Sequence, residues 1–179
     1  MSKVVILSGS PSASSRLNGM VNFVRKTLAE AGLNTAIIEV VDLPPEDLVY
    51  ANFNSPTILA ANELIAAADA VVIASPVYKA SYTGVLKAYI DLLPQKGFEK
   101  KLIAPVFIAG SMAHMLVVDY ALKPVLASMG ATHFTKTVYA TDDSITREQD
   151  KDGQYRFTIE ESIEARLQGI ADELIEYLK

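Results

Sequence analysis

Ala70-Val71-Val72-Ile73-Ala74 is an unbroken apolar run, followed at once by Ser75-Pro76-Val77-Tyr78-Lys79. A strand with one wet face alternates apolar and polar residues; a run with no alternation is covered on both faces, as in a parallel sheet flanked by helices. Similar β-rich runs fall at Lys3–Ser8, 34–40, Leu102–Ala109 and 134–139. Between them the spacing turns helical. Met20, Val21, Val24, Leu28 and Ala31 share one face, with Gly32 placed as a left-handed cap. Ile159, Ile163, Leu167, Ile170, Leu174 and Leu178 keep a three-to-four step near the C-terminus. Five strands alternating with helices predict a doubly wound, mostly parallel α/β sheet with helices on both faces and right-handed crossovers.

The chain has 179 residues, half of them apolar, and a mean hydropathy of +0.23, which suits one domain over 1–179 with a sizeable core. Sixteen basic residues face 21 acidic ones, for a net charge of −5, and no basic stripe stands out; no nucleic-acid surface is expected. There is no cysteine, so disulfides, thiolate nucleophiles and cysteine metal sites are excluded. The run Val4 to Leu7 is too short for a signal segment or membrane span. The expectation is a soluble cytoplasmic protein with no membrane contact. Residues 141–156 are polar, with a turn at Asp152-Gly153, and read as a solvated excursion or small hairpin.

Open α/β sheets bind ligands beyond the carboxyl ends of their strands, where strand order reverses. The loop after the first strand is Ser8-Gly9-Ser10-Pro11-Ser12-Ala13-Ser14-Ser15-Arg16-Leu17-Asn18-Gly19. Its five serines, one guanidinium and following helix N-terminus make the chemistry of a monophosphate cradle. It is neither a Walker A loop nor a G-x-G-x-x-G motif. An ordinary turn with a serine cap is the alternative, but it explains one serine and not the others. After the third strand, residues 75–84 offer a proline and tyrosines that could wall a flat ring. After the fourth, Gly110-Ser111-Met112-Ala113-His114 would lie beside them, the glycine permitting close backbone approach. His114 alone is as readily a plain polar residue as a functional one.

In Val117-Val118-Asp119-Tyr120-Ala121-Leu122-Lys123-Pro124-Val125-Leu126, spacing predicts one helix burying Val118, Leu122, Val125 and Met129. Pro124 sits inside it and cannot donate to the Tyr120 carbonyl, so a kink or a π-bulge is expected near Tyr120.

Taken together, Ser8-Gly9-Ser10-Pro11, Pro45-Glu46-Asp47-Leu48, Ser75-Pro76-Val77-Tyr78-Lys79-Ala80 with Gly84 and Leu86-Lys87, Asp91-Leu92-Leu93-Pro94, and Val118 to Leu126 resemble the NAD(P)H-dependent FMN reductases of the flavodoxin-like superfamily. Within it they are most similar to the reductase components of two-component alkanesulfonate monooxygenase systems. Gly110-Ser111-Met112 departs from the usual Gly-Gly-Ser/Thr of the family, and 141–156 has no counterpart in the pattern. The resemblance implies that FMN is held loosely, that NADPH (or NADH) passes a hydride to flavin N5, and that reduced FMN leaves for a separate flavin-dependent monooxygenase. It implies Ser10, Ser12, Ser15 and Arg16 at the FMN phosphate, and Pro76, Val77, Tyr78 and Lys79 along the isoalloxazine. Gly110, Ser111 and His114 would lie on the far side of the ring, and Tyr120 at the interface of a homo-oligomer, dimer or tetramer. No protein acid or base and no metal is required, because the cofactors carry the redox chemistry. A quinone or azo reductase with bound FMN is the enzymatic alternative. A flavodoxin-type electron carrier is the non-enzymatic one, disfavoured by the absence of tryptophan and of acidic residues in the flavin loops; a nucleotide-binding regulator without turnover is a third.

Overall fold

The structure, a computed structural model, describes residues 3–179. Strand β1 (Lys3–Ser8) pairs in parallel with β2 (Asn34–Glu39) on one side and β3 (Ala70–Tyr78) on the other. Next come β5 (Leu102–Ala109) and an edge formed by β6 (His133–Phe134) and β7 (Val138–Thr141). The order β2-β1-β3-β5-β6/β7 reverses direction between β1 and β3. This is the expected doubly wound sheet.

Alternation of side chains divides its residues between two cores. Val5, Leu7, Val71, Ile73, Ile103 and Phe107 pack on the face of helices α3 (Pro56–Ala66), α4 (Gly84–Ile90) and α5 (Lys123–Ser128). Val4, Ile6, Val72, Leu102, Ala104 and Val106 meet α1 (Leu17–Glu30) and α6 (Glu161–Leu178) on the other. Both faces of β1, β3 and β5 are dry, which is why their sequences do not alternate. Helix α1 ends as expected: Gly32 has φ +79°, and Leu33 N–H reaches back to the Leu28 carbonyl at 3.0 Å. A short helix α2 (Pro45–Val49) starts on its proline.

Two elements depart from the sequence expectation, and a third takes one of the two forms expected for it. The third strand does not stop at Ala74; it runs to Tyr78 and folds back through β4 (Ser81–Tyr82), so much of 75–84 is a hairpin and not a loop. Pro76 is tolerated there because β1 pairing ends at Ala74. The Ala74 carbonyl, which accepts from Gly9 N–H at 2.8 Å, faces the β1 side; two residues on, Pro76 faces the same side, where no ladder partner remains. The fifth strand is broken. Ile103 opposes Phe134 but Val106 opposes Val138, so the edge strand carries one extra residue, a bulge. The polar excursion is an antiparallel hairpin, β8 (Ile145–Gln149) with β9 (Tyr155–Ile159), the smaller of the forms expected for it. Among the described residues, no helix is long and apolar enough to cross a membrane.

Tyr89 of α4 is fully buried, and no protein group among the described residues bonds its hydroxyl; burial pushes its pKa well up. An unpaired buried hydroxyl costs stability. Tyr89→Phe is therefore expected to leave thermal stability unchanged or to raise it by up to about 1 kcal/mol. A loss of that size in a melting experiment would show that the hydroxyl is bonded after all.

Candidate functional site

The carboxyl ends of β1 and β3 are locked together around Gly9. Its N–H donates to Ala74 at 2.8 Å, and its carbonyl accepts from the Thr83 hydroxyl at 2.7 Å. A Cβ on Gly9 would lie 2.6 Å from Leu86 Cβ, so only glycine lets the first loop pass this close to α4. Thr83 also caps α4, accepting from Leu86 N–H at 3.3 Å, and its own N–H donates to buried Ser75 Oγ at 3.1 Å.

From this anchor the serine loop rises into solvent. Ser10 is buried, its hydroxyl donating to the Ser12 carbonyl and accepting from Ser12 N–H. Ser12 Oγ is exposed, shares a 2.9 Å bond with Ser14 Oγ and accepts from Ser14 N–H. Ser15 Oγ accepts from Leu17 N–H at 3.3 Å and so serves the helix start. Arg16 is half-buried. Its Nε donates to the Ile145 carbonyl at 2.8 Å, and its two Nη groups have no protein partner among the described residues. A guanidinium tethered through Nε with a free two-pronged end is arranged for bidentate contact with an oxyanion. The residues present thus fit a phosphate group.

The second wall is the β3–β4 hairpin. Pro76 is buried within β3 opposite Ile108, Val77 is half-buried, and Tyr78 and Lys79 are exposed. The turn at Lys79 and Ala80 has φ +50° and +62°, a conformation that costs non-glycine residues. After β5, the stretch from Gly110 to His114 is exposed and held at its base by Tyr139, whose hydroxyl donates to the Ser111 carbonyl at 2.6 Å. Burial pushes the Tyr139 phenol up, against a smaller pull from the His114 backbone, so the donor keeps its proton near neutrality. The structure gives the His114 side chain no hydrogen bond among the described residues.

Tyr120 lies in a π-helical turn, Val118–Leu122, in which Lys123 N–H reaches the carbonyl of Val118, five residues back. Of the kink or π-bulge expected from Pro124, the π-bulge is the form present. Its wider turn rotates the rest of the helix. Val118, Leu122 and Met129 are buried as expected, but Leu126 takes the buried position predicted for Val125, which is only partly covered. Tyr120 is 80% exposed. The strand ends thus carry the serine loop, the hairpin turn and the loop after β5. Sequence reasoning missed Thr83 and Tyr139. A threonine before Gly84 at a helix start could have revealed Thr83, whereas Tyr139 acts across a long sequence separation and leaves no local signal.

A hollow of about 620 Å³ lies elsewhere, between the bulged edge and α6. Several of its polar groups serve the fold: Arg166 donates to the Tyr139 and Thr137 carbonyls, and Glu173 accepts from Lys136 N–H. Among the described residues no cluster could hold a metal ion.

The strand order places the chain in the flavodoxin-like class of α/β proteins. The sequence pattern of the family described as NADPH-dependent FMN reductase matches residues 2–144. An FMN reductase (NADPH) of Pseudomonas putida is 41% identical over 142 residues, covering 79% of this chain and 72% of that protein. One from Escherichia coli is 38% identical over 143 residues, covering 80% and 75%. In three dimensions the chain is similar to an NADH:FMN oxidoreductase solved in its apo form, with a TM-score of 0.85, 30% identity, and coverage of 100% of this chain and 91% of that one. The chain belongs to the NADPH-dependent FMN reductase family. It is an NAD(P)H-dependent FMN reductase, with FMN and a nicotinamide nucleotide as its cofactors.

The Gly9–Thr83 bond is buried on both sides, so Thr83→Val leaves a carbonyl and the Leu86 N–H unpaired. The expected loss is about 1–3 kcal/mol of folding stability in denaturant titration.

Proposed function

We propose that this reductase takes FMN as an exchangeable substrate and supplies reduced FMN to a separate flavin-dependent monooxygenase, in the assimilation of sulfonate sulfur. The observation that carries the phosphate end of this reading is Arg16, tethered through Nε with both Nη groups free beside a run of serines. Ser10, Ser12, Ser15 and Arg16 receive the FMN phosphate; the Ser10 and Ser15 hydroxyls shape the loop and the α1 start more than they reach outward. Val77, Tyr78 and Lys79 border the isoalloxazine, with Pro76 backing them from inside the strand. Gly110, Ser111 and His114 form the opposite rim. When bound, FMN supplies the hydride-accepting chemistry, and the protein's part is to hold it and leave one face open to the nicotinamide.

Exchange is supported by the exposure of Tyr78, Lys79 and residues 110–114, which leaves the ring site open in a single chain. A relative in Pseudomonas putida, the NADH-dependent FMN reductase SfnF, is 30% identical over 145 residues. It supports the reductase role and makes NADH a second reductant to test. A homo-oligomer is supported by Met112, Met115, Leu116 and Tyr120, each more than half exposed and close along the chain, and by β4 packing against the π-helical turn beside Tyr78. A second copy of this chain covers that apolar face, and Tyr120 would then sit near the partner's flavin. A cytoplasmic location remains part of the proposal.

Arg16→Ala is expected to weaken FMN binding by about 1.5–3 kcal/mol, the range for a hydrogen bond to a charged group, and to leave riboflavin nearly unaffected. Flavin fluorescence quenching reads both; equal losses would remove Arg16 from the phosphate site. NADPH oxidation should saturate with added FMN, and protein purified without flavin should be nearly colourless. Retention of yellow colour through dialysis, with no response to added FMN, would point to a bound-flavin quinone or azo reductase or to an electron carrier.

Tyr120→Ala should change flavin retention, turnover or sedimentation while the fold survives. A variant matching the parent in all three would reduce Tyr120 to a kink residue.

A further inference from the structure

The family match ends at residue 144, one residue before the β8–β9 hairpin begins. Yet that hairpin is bonded to the serine loop in both directions. Arg16, from the loop, donates through Nε to the Ile145 carbonyl of β8 at 2.8 Å. Arg147, from β8, donates through Nη1 to the Ser14 carbonyl of the loop. Each arginine therefore holds a carbonyl of the other element. Three further contacts order the hairpin and seat it on α1. The Arg147 guanidinium lies 5.5 Å from the Tyr155 ring centre across the hairpin. Phe157 covers Gly19 so closely that a Cβ there would meet its Cβ at 2.7 Å. Glu160 N–H donates to the Ser144 carbonyl at 3.0 Å, closing the base of the hairpin.

We infer that the β8–β9 hairpin is a strap that pre-positions the phosphate end of the flavin site, with Arg147 as its positioning residue. The inference rests on the phosphate reading of Arg16 and the serine loop. A long arginine side chain at a half-exposed position samples many rotamers, and fixing it costs binding energy. The Ile145 carbonyl removes much of that cost by occupying Nε and leaving the Nη pair free. Arg147 does the same for the backbone: pulled on at Ser14, the loop keeps the serines between Gly9 and α1 in one arrangement. The ligand class is a phosphate monoester, and the gain falls on its phosphate and not on a flavin ring.

The test compares FMN with riboflavin by fluorescence quenching in full-length Arg147→Ala, Arg147→Lys and Arg16→Ala. Arg147→Ala should weaken FMN about five- to tenfold, as loss of one orienting hydrogen bond to a loop requires, and leave riboflavin unchanged. Arg147→Lys, which keeps an N–H donor with the reach for the Ser14 carbonyl, should restore most of the FMN affinity; no restoration by Lys would overturn the hydrogen-bonded positioning role. FMN binding unchanged in Arg147→Ala, with Arg16→Ala strongly impaired, would overturn the strap while sparing the phosphate site. Arg16→Ala without effect on FMN would remove the phosphate reading beneath both. Equal losses of FMN and riboflavin in Arg147→Ala, with a lowered melting temperature, would make the hairpin a support of the fold only.

Discussion

The hydrogen bond from the Thr83 hydroxyl to the Gly9 carbonyl joins two loops separated by 74 positions in sequence, in a place with almost no solvent. Its surroundings leave little freedom. Gly9 is tied to β3 through its N–H, Thr83 to Ser75 through its own N–H, and Leu86 fills the space a side chain on Gly9 would need. Buried polar groups of this kind rigidify a site when every member is paired. The serine loop, the β3–β4 hairpin and the start of α4 consequently share one reference point, and the two walls ascribed to the flavin cannot drift apart independently.

The opposite flank of the site is held by different means. The sheet edge is broken by the bulge at 135–137, which would leave backbone groups open to pairing with another strand. Arg166 covers the Tyr139 and Thr137 carbonyls and Glu173 meets Lys136 N–H, so α6 protects the edge. Beyond the bulge, Tyr139 returns to a regular ladder and directs its hydroxyl to Ser111. The bulge and the anchoring of the loop after β5 therefore belong together: the extra residue sets the register in which Tyr139 reaches that loop. At the far end of the sheet, Lys101 caps α3 by donating to the Ala66 and Ala68 carbonyls. Burial lowers its pKa, with Asp69 pulling the other way.

The strands Lys3–Ser8 and Leu102–Ala109 were legible to the residue, because double burial writes itself as an uninterrupted apolar run. The Gly32 cap and the irregular turn before Pro124 were legible too, since glycine and proline act through local backbone sterics. The missed features depend on contacts across the chain. Whether Pro76 may lie in a strand depends on where β1 stops, and the bulge depends on register against β5. Leu126 displaced Val125 because a π-turn changes the angular step, which a fixed helical period cannot show. The candidate residues themselves came from loop position and side-chain chemistry. Their mutual bonding, above all that of Arg16 to the hairpin, had no trace in local composition.

The turn at Lys79 and Ala80 shows how these constraints act on one another. Two consecutive left-handed residues suit a tight hairpin, where glycine or asparagine is the usual choice, and with lysine and alanine they cost of order 1–2 kcal/mol each. Such a turn persists only where its surroundings over-determine it. Here Val77 and Tyr78 pair with Tyr82 and Ser81, Tyr82 is buried against the core, and Ser75 and Thr83 bond each other at the hairpin's base. With the backbone fixed from below, Tyr78 and Lys79 can project into solvent without loosening the strand that carries them. Rigidity thus resides in the buried backbone, and openness in the exposed side chains. That division suits a ligand that has to be oriented accurately for hydride transfer and, on the exchange proposed above, then released, since ordering costs fall on the fold and not on each binding event.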